Sequence, residues 1–304
     1  MFRLTAAIAL ATSICVPGTL LAVQADTSVA ETPAGATHIP ALAAKPTFER
    51  LALKSRSFLV IDQDSGELIA AKNADAVLPV ASLTKIMTAL VVLDAKQPLD
   101  EMLVITADDV DREKRTPSRL RVGARLSRDD LMILSLMASE NRAATALSRN
   151  YPGGRAAFIA KMNEKARALG MKSTRFADAA GLSRNSVSSA RDLHLLLTEA
   201  ATHPLINAYS TRQQHTVRVG RQRLKFGSSN RLVRHSSWNI EMQKTGYTNE
   251  AGRCLLMQAR VANRRLAMVF LDSVGKLTRY GDAARVRRQV ELGDIKKVRA
   301  KAKG

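Results

Sequence analysis

An apolar helical segment without a polar face, residues 80–93, constrains the fold of this chain more than any other part of it. Its large apolar residues point in every direction around a helix: Ile86, Met87, Leu90, Val91 and Val92. A helix of this kind is stable only when other elements cover all of its sides. We therefore expect residues 80–93 at the centre of a domain, with Ser82 and Lys85 close to the start of the helix.

The segments around this helix predict strands first, then helices, then strands again. Residues 57–61 and 67–71 are short apolar runs on either side of a turn that ends at Gly66. Further helices are expected at 128–138, from Gly154 to Gly170 and at 190–201. Strands are expected at 215–219, 222–226, 240–247, 253–262 and 265–274, before a closing helix at 282–292. This order favours an α+β fold in which strands distant in sequence form one antiparallel sheet with helices packed on it.

The first 25 residues have the organisation of a secretory signal peptide. Arg3 precedes a mostly apolar stretch that reaches Leu21, and small residues end it before Asp26. A retained membrane anchor is the alternative, but Pro17 and Gly18 interrupt the stretch and it is short for a bilayer span. We divide the chain into a signal peptide (1–25), a flexible lead-in rich in Ala, Thr and Pro (26–50), a folded domain (51–292) and a basic tail (293–304). No transmembrane segment is expected after signal removal.

The charge balance predicts a protein that attracts polyanions. Lysine and arginine number 47 against 27 aspartate and glutamate residues, for a formal net charge of +20. Nucleic acid is the usual partner of such a chain, but an exported protein seldom meets it, and aromatic residues form only 4% of the sequence. A carboxylate-rich polymer of the cell envelope suits an exported protein better. General solubility is an equally good explanation of the charge.

The sequence contains no pattern for a cofactor. The five histidines are scattered, and neither a His-Glu-x-x-His motif nor paired cysteines occur. A glycine-rich phosphate loop is also absent. The two cysteines are Cys15 and Cys254, and Cys15 leaves with the signal peptide, so we expect no internal disulfide and no cofactor.

The first candidate catalytic pair is Ser82 and Lys85. A serine hydroxyl is a poor nucleophile without a neighbouring base, and a lysine three residues later on a helix can reach it. The alternative is that Ser82 caps the helix. A second Ser-x-x-Lys pair, Ser273 and Lys276, is broken by Gly275 directly after a predicted strand, which makes it the weaker candidate.

Two more short motifs contain side chains suited to a binding cleft. Ser139-Glu140-Asn141 follows an apolar helix, although the Ser-x-Asn pattern occurs at four later positions as well. Lys244-Thr245-Gly246 occurs once, inside a predicted strand. There the lysine and threonine offer a cation and a hydroxyl to a carboxylate, and the glycine would let a ligand backbone lie against the strand edge.

Together these motifs are the set Ser-x-x-Lys, Ser-x-Asn and Lys-Thr-Gly, which is shared by penicillin-binding proteins and class A β-lactamases. Flanking segments such as SFLVIDQDSGELIAAKNAD, ASLTKIMTALVVLD and EMQKTGYTNEAGRCL extend the likeness over residues 50–292. The chain resembles low-molecular-mass penicillin-binding proteins of the D-alanyl-D-alanine carboxypeptidase and endopeptidase group. The resemblance implies a β-lactamase/penicillin-binding transpeptidase-like α+β fold, an antiparallel sheet with packed helices and an inserted helical block.

The resemblance implies three catalytic residues. Ser82 would attack an amide carbonyl and become an acyl-ester, and Lys85 would take its proton. Ser139 would relay a proton to the leaving amine. Burial and a second positive charge from Lys244 would lower the pKa of Lys85 and let it act as a base.

The resemblance also implies substrate-binding residues. Asn141, Lys244, Thr245 and Gly246 would line the cleft, and the backbone N–H groups of Ser82 and Tyr247 would form an oxyanion hole. Arg279 would help to hold a substrate carboxylate. The alternative for Arg279 is a salt bridge at the start of the last helix.

These implications favour a penicillin-sensitive serine DD-endopeptidase of the periplasm that hydrolyses D-alanyl to diaminopimelyl cross-links of peptidoglycan. Its partners would be peptidoglycan stem peptides, with β-lactams as covalent inhibitors and no nucleic acid. A D-alanyl-D-alanine carboxypeptidase is the alternative, less favoured because residues 293–304 are too few for the extra β domain and amphipathic helix that such enzymes often carry. Glu140 between Ser139 and Asn141 also resembles the endopeptidase branch.

Two further alternatives remain open at this point. A class A β-lactamase would need a Glu-x-x-Leu-Asn stretch to drive water onto the acyl-enzyme, and the sequence has none. A basic envelope-binding module whose catalytic residues are relics would bind the cell wall without cutting it.

Overall fold

A computed structural model describes the backbone of residues 51–301 and the side chains of residues 51–293. The expected signal peptide (1–25) and lead-in (26–50) lie outside the described residues, as do the side chains of nearly all of the expected basic tail (293–304). No helix in the described part is long and apolar enough to span a bilayer.

The elements follow the expected order of strands, helices and strands. In chain order they are β1 (Ser55–Asp62), β2 (Leu68–Lys72), β3 (Leu78–Pro79), α1 (Thr84–Asp94), β4 (Met102–Val104), β5 (Arg125–Ser127), α2 (Arg128–Met137), α3 (Asn141–Arg149), α4 (Gly154–Ala168), β6 (Val187–Ser188), α5 (Ala190–Ala201), α6 (Pro204–Thr211), β7 (Gln214–Val219), β8 (Gln222–Gly227), β9 (Asn239–Thr248), β10 (Gly252–Val261), β11 (Arg264–Ser273) and α7 (Thr278–Lys301).

The main sheet has five antiparallel strands in the order β2-β1-β11-β10-β9. β1 pairs with β11, with Ser55 opposite Ser273 and Asp62 opposite Leu266, so strands from the two ends of the domain lie side by side. β9, which carries Lys244, is an edge strand. The prediction that strands distant in sequence share one antiparallel sheet is confirmed.

The sheet is buried on both faces. One face, with Leu59, Leu256 and Val269, belongs to the core that includes α1. The other face, with Phe58 and Met257, packs against the closing helix α7. A strand covered on both sides reads as a nearly continuous apolar run, and β10 is of this type.

Helix α1 lies at the centre of the domain, as the apolar segment predicts. Residues 84–92 of this helix are all buried, including Lys85. The other predicted elements, apart from the closing helix, lie within about two residues of their expected positions: β1, β2, α2, α4, α5 and β7 to β11.

Three parts of the prediction are wrong. The strands β7 and β8 pair only with each other and form a separate hairpin. Helices α3 and α6 were not expected; they are short, with 9 and 8 residues. The closing helix starts at Thr278 instead of Asp282 and continues to Lys301 instead of ending at Leu292, so that Gly293 lies inside the helix.

Candidate active site

Ser82 lies in a short 3-10 turn, Ala81–Leu83, that leads directly into α1. The residue before it, Ala81, has a φ of 48°, a left-handed conformation that costs free energy for a residue with a Cβ. The N-cap positions of the turn and of α1 are Val80 and Leu83, and neither has a side-chain cap. Ser82 is therefore not the cap of this helix, and the alternative explanation for its presence is wrong.

Two glycines make room for this turn. A Cβ on Gly181, whose φ is +73°, would lie 1.9 Å from the carbonyl oxygen of Ala81. A Cβ on Gly246 of β9 would lie 3.1 Å from the oxygen of Val80 and 3.2 Å from the Cβ of Ala81. Gly246 was expected to give space to a ligand, but the atoms it faces belong to the turn before Ser82. Its role is to let the edge strand approach the candidate nucleophile.

The Lys85 ammonium has three hydrogen-bond partners. Nζ donates to Ser82 Oγ at 2.8 Å, to Asn141 Oδ1 at 2.7 Å and to the backbone oxygen of Ala180 at 2.6 Å. Burial lowers the pKa of Lys85 to about 8, and the carboxylates of Asp178 and Glu140 keep it from falling further. A lysine whose pKa is lowered toward the physiological range, in contact with a serine hydroxyl, is the arrangement that a general base requires.

A loop before α2 holds the amide of Asn141, and this support was not predicted from the sequence. Asn141 Nδ2 donates to Thr116 Oγ1 at 2.9 Å, and Thr116 Oγ1 donates to Asp111 Oδ2 at 2.8 Å. Asp111 also accepts backbone N–H groups from residues 113, 114 and 116. A carboxylate that accepts bonds from N–H groups two, three and five residues later folds a tight loop, and this Asx-type spacing was the available signal.

Ser139 and Glu140 form the connection between α2 and α3. Ser139 has a φ of 60°, again left-handed, and such strained residues are concentrated at functional sites. Glu140 is buried and its carboxylate caps α3 by accepting the N–H of Ala143 at 3.0 Å. The glutamate in the middle of this motif thus starts a helix and also places a negative charge near Lys85.

The Ala180 carbonyl that contacts Lys85 is held by a second loop. Asp178 accepts the N–H groups of Gly181 at 3.1 Å and Leu182 at 2.7 Å, and the hydroxyl of Ser186 at 2.7 Å. Neither Asp178 nor Ala180 was predicted as a site residue. The pattern Asp-x-x-Gly was the only local signal, since a backbone carbonyl leaves no trace in the residue type.

Lys244 and Arg279 bring two more buried cations to this region. Lys244 is fully buried and its Nζ donates to the backbone oxygen of Thr245 at 2.9 Å. Burial, followed by the positive charges of Lys85 and Arg279, holds the pKa of Lys244 well below its ordinary value. Lys244 was expected to lower the pKa of Lys85, but the shift of the Lys85 pKa comes from burial and two carboxylates, and the influence found is that of Lys85 on Lys244. Three cations close enough to affect one another make a site for an anion.

Arg279 is buried and lacks an acidic partner. One nitrogen donates to the hydroxyl of Tyr280 at 3.0 Å. Nε and Nη1 have no hydrogen-bond partner among the described residues, and no salt bridge involving Arg279 forms there. The alternative of a structural salt bridge at the start of the last helix is therefore wrong. Two unpaired buried N–H groups on a guanidinium are expensive unless a ligand accepts from them.

The remaining motif residues flank this group. Thr245 is buried and its hydroxyl is 2.7 Å from Ser229 Oγ. Tyr247 is 51% exposed, with the Arg253 guanidinium 4.3 Å from its ring centroid. Because β9 is an edge strand, alternate backbone N–H groups along it are free of a neighbouring strand.

The duplicate motif and the remaining cysteine take no part in this cluster. Ser273 is buried and lies 2.6 Å from the hydroxyl of Ser55 on the neighbouring strand, which is a structural contact. Burial raises the pKa of the Cys254 thiol to about 11, so this cysteine is unreactive. The described residues include no cluster of side chains that would hold a metal ion.

Comparison with known proteins assigns this constellation to a family. The family described as D-alanyl-D-alanine carboxypeptidase, peptidase family S11, matches residues 43–275. A D-alanyl-D-alanine endopeptidase of Pseudomonas aeruginosa is 47% identical over 83% of this chain and 82% of its own, and one of Escherichia coli is 42% identical over 86% and 84%. The D-alanyl-D-alanine carboxypeptidase DacF of Bacillus subtilis is 31% identical over 79% of this chain but only 64% of its own.

Solved structures share the same fold. Penicillin-binding protein D2 of Listeria monocytogenes, in its cefotaxime-bound form, superposes with a TM-score of 0.69 at 31% identity and covers 79% of this chain and 98% of its own. A D-alanyl-D-alanine carboxypeptidase of Mycobacterium tuberculosis superposes with a TM-score of 0.69 at 26% identity, covering 77% of this chain and 89% of its own. The expected fold class is confirmed.

Proposed function

The chain belongs to the D-alanyl-D-alanine carboxypeptidase family of serine peptidases, and on that premise we propose that it is an endopeptidase that cuts D-alanyl cross-links of peptidoglycan with Ser82 as nucleophile. The observation that carries the assignment of Ser82 is its hydrogen bond to a fully buried lysine with a lowered pKa. The names of the two relatives above 40% identity support the endopeptidase activity.

Acylation follows from the donors and acceptors around Lys85. Asn141 Oδ1 and the Ala180 carbonyl accept hydrogen bonds only, so two N–H groups of the amine must face them. In the neutral amine the remaining position is the lone pair, which then points at the Ser82 hydroxyl. Ser82 Oγ bonds to the D-alanyl carbonyl carbon, its proton passes to Lys85, and the carbonyl electron pair moves onto oxygen.

The oxyanion formed in this step needs N–H donors. The N–H of Ser82 lies in the first turn of a helical segment, where N–H groups have no intrahelical acceptor, and the N–H of Tyr247 lies on the edge strand. When the C–N bond breaks, the leaving amine takes a proton from Lys85 by way of the Ser139 hydroxyl. Water then attacks the acyl-ester carbonyl carbon and passes a proton to the now neutral Lys85; the bond from this carbon to Ser82 Oγ breaks, and Ser82 takes that proton from Lys85.

We assign the substrate carboxylate to Arg279 and Lys244, with Asn141, Thr245 and Gly246 along the cleft. The two unpaired nitrogens of the buried Arg279 guanidinium support this role, because a carboxylate would satisfy both. Binding an anion here would also stabilise the protonated form of Lys244.

Carboxypeptidase activity is the second candidate, favoured by the description of the family. Both reactions release an amine from a D-alanyl carbonyl, so they differ in what lies beyond the leaving nitrogen. We infer an extracytoplasmic site of action, in the periplasm, because the substrate is the cell wall. β-Lactams are expected to acylate Ser82 and to leave slowly, since no Glu-x-x-Leu-Asn stretch is present.

The test is digestion of purified muropeptide dimers, with the products weighed by mass spectrometry. Wild-type protein should yield monomers, and Ser82→Ala should yield none. Ser273→Ala, in the second Ser-x-x-Lys sequence, is the matched control and should keep full activity. Loss of a single terminal alanine without monomers would establish the carboxypeptidase instead.

Labelling with fluorescent penicillin separates the remaining alternatives. We expect stable labelling of the wild type that Ser82→Ala abolishes. Rapid loss of label within an hour would indicate a β-lactamase. Binding to the cell wall without labelling or cleavage by the wild type would indicate a non-catalytic binding protein.

A further inference from the structure

The segment from residue 200 to residue 240 carries positive charge without any acidic residue. Glu199 and Glu241 are the nearest acids on either side, and the basic residues between them number seven: Arg212, Arg218, Arg221, Arg223, Lys225, Arg231 and Arg234. All seven are exposed. None of them forms a salt bridge within residues 51–293, where many other arginines do.

The hairpin of β7 and β8 concentrates this charge on one face. Its inward side chains, Val217 and Phe226, are buried. The outward face presents Arg218 directly opposite Arg223, with Lys225 opposite Thr216. Like charges placed opposite each other across two strands destabilise a hairpin. The fold gains nothing from this arrangement, which indicates that an external anion compensates it.

The chain directly after the hairpin lies beside the candidate active site. Ser229, two residues after β8, donates its N–H to Met137 at 2.9 Å and lies 2.7 Å by its hydroxyl from Thr245 Oγ1. On the other side, the Arg119 guanidinium lies 3.9 Å from the Phe226 ring centroid and donates to the Lys225 carbonyl at 2.7 Å. Arg119 follows Thr116, which holds Asn141, by three residues.

The acid that contacts the hairpin lies on its inner side, where it is bonded to a histidine. Nε2 of His215 is 2.6 Å from Oδ1 of Asp130 in α2. Within the described residues, no other side chain of the hairpin pairs with an acid. The outward cations therefore remain available. The six residues of each strand extend about 20 Å.

We propose that the outward face of this hairpin binds the carboxylate-bearing peptide strands of intact peptidoglycan that lie beyond the peptide being cut. The proposal rests on the proposed function, since it places a polymeric substrate in the adjacent cleft. Its chemistry is charge pairing between exposed guanidinium or ammonium groups and free carboxylates. The face therefore selects the cross-linked polymer over small soluble peptides.

The test compares two triple variants that remove the same charge. The hairpin variant carries Arg218→Gln, Arg223→Gln and Lys225→Gln. The control carries Lys72→Gln, Lys96→Gln and Lys172→Gln, three lysines that are also exposed and also without a salt bridge in the described part of the chain. Removing the cross-strand repulsion should leave the Tm of the hairpin variant equal to or above that of the wild type.

Binding to purified sacculi is measured first, with Ser82→Ala protein so that no bond is cut. The hairpin variant should bind about tenfold more weakly than the control variant, and added salt should reduce this difference. Digestion of sacculi by the active proteins should fall by a similar factor. Cleavage of small muropeptide dimers and acylation by penicillin should stay within about twofold of the wild type, because these ligands do not reach the hairpin.

Three results would overturn the proposal. An equal loss of sacculus binding in the hairpin variant and the control variant would assign the effect to bulk charge. In the hairpin variant, a loss of dimer cleavage as large as the loss of sacculus digestion would assign the effect to the cleft. Loss of binding to phosphatidylglycerol vesicles with unchanged binding to sacculi would assign the face to the membrane surface. Failure of the wild type to cut dimers would instead reject the proposed activity, and the binding comparison would still decide the role of the hairpin.

Discussion

At the scale of single residues, the orientation of one amide sets the position of the Lys85 lone pair. Asp111 is an acceptor only, so Thr116 must donate to it and must accept from Asn141 Nδ2. The other end of the amide, Oδ1, then has to face Lys85. A carboxylate in a distant loop thereby determines which way the active-site amide points.

Thr116→Val should expose this dependence. Valine has nearly the shape of threonine but no hydroxyl, so Asn141 loses its anchor and its amide can rotate. Losing one such hydrogen bond costs about 1 kcal/mol, and we expect acylation by penicillin to slow about fivefold to tenfold. Thr116→Ser, which keeps the hydroxyl, should restore the rate. Equal slowing by both variants would mean that packing, and not the hydroxyl, is responsible.

The pH dependence of acylation should report the titration of Lys85. Its pKa is lowered to about 8, and only the neutral amine is a base, so the acylation rate should rise with pH and level off above about 8. The carboxylate of Glu140 raises this pKa. Glu140→Gln should therefore move the rising limb to lower pH, while glutamine can still accept the N–H of Ala143.

A pH profile of penicillin acylation for both proteins measures this shift. Glu164→Gln, on the exposed surface of α4, is the control and should leave the profile unchanged. If the rising limb of the acylation profile lies at the same pH in Glu140→Gln as in the wild type, a group other than Lys85 is the base.

Residue types alone predicted the motif residues but not the loop residues that hold them in position by hydrogen bonds. Ser82, Lys85 and Asn141 come together as expected, since they are joined by hydrogen bonds. Asp111, Thr116 and the Ala180 carbonyl were missed because they act through loop conformation. The contact between Gly246 and the turn before Ser82 was also missed, because the direction in which its absent Cβ would point depends on how β9 packs on that turn.

At the scale of elements, the turn that carries Ser82 is compressed between a loop and the edge strand. Gly181 and Gly170 offer a matched comparison, because both have positive φ values, +73° and +75°. An alanine at either position costs about 1 kcal/mol for the left-handed backbone. Only at Gly181 would the new Cβ meet another group, the Ala81 carbonyl; nothing lies within 4 Å at Gly170.

Gly181→Ala should therefore displace the nucleophile, and Gly170→Ala should not. We expect Gly181→Ala to lose more than 2 kcal/mol of unfolding free energy and to lose penicillin acylation almost completely. Gly170→Ala should lose about 1 kcal/mol and acylate normally. Denaturant unfolding and labelling rates measure the two effects. Normal labelling of Gly181→Ala would show that the turn has room to move.

Periodicity predicted the long elements and failed on the short ones. Helix α1 and strands β9 to β11 have strong apolar patterns over about ten residues. Strands β3 to β6 have only two or three residues, too few for any period. Helix α3 starts at a glutamate cap, and α6 at a proline, whereas α2 and α5 start at serine caps.

At the scale of the whole molecule, the sheet closes the two ends of the domain onto each other. Asp282 of α7 is buried and accepts the N–H of Lys54 at 3.0 Å and the N–H and hydroxyl of Ser55. The segment from β3 to β8 is thereby an insertion between strands that are already joined. The three motifs, on α1, after α2 and on β9, meet along its boundary with the sheet, and no local pattern could have predicted this pairing.

The stability of the molecule should depend on pH through one histidine, His194, whose two ring nitrogens are buried. Burial and then the charge of Arg191 lower the pKa of His194 from 6.5 to about 4, and neither ring nitrogen has a hydrogen-bond partner among the described residues. The unfolded chain therefore binds a proton below pH 6.5 that the folded chain does not. This contribution is fully present above pH 6.5 and is lost as the pH falls toward 4, a loss of about 3 kcal/mol at most.

Urea unfolding between pH 4 and pH 7 measures this loss. His194→Leu removes the titrating group, so its unfolding free energy should fall less steeply over this interval than that of the wild type. His235→Leu, at an exposed histidine, should follow the wild-type curve. Parallel curves for all three proteins would mean that the histidine reaches water in the folded state, because a solvated imidazole binds its proton equally well before and after unfolding.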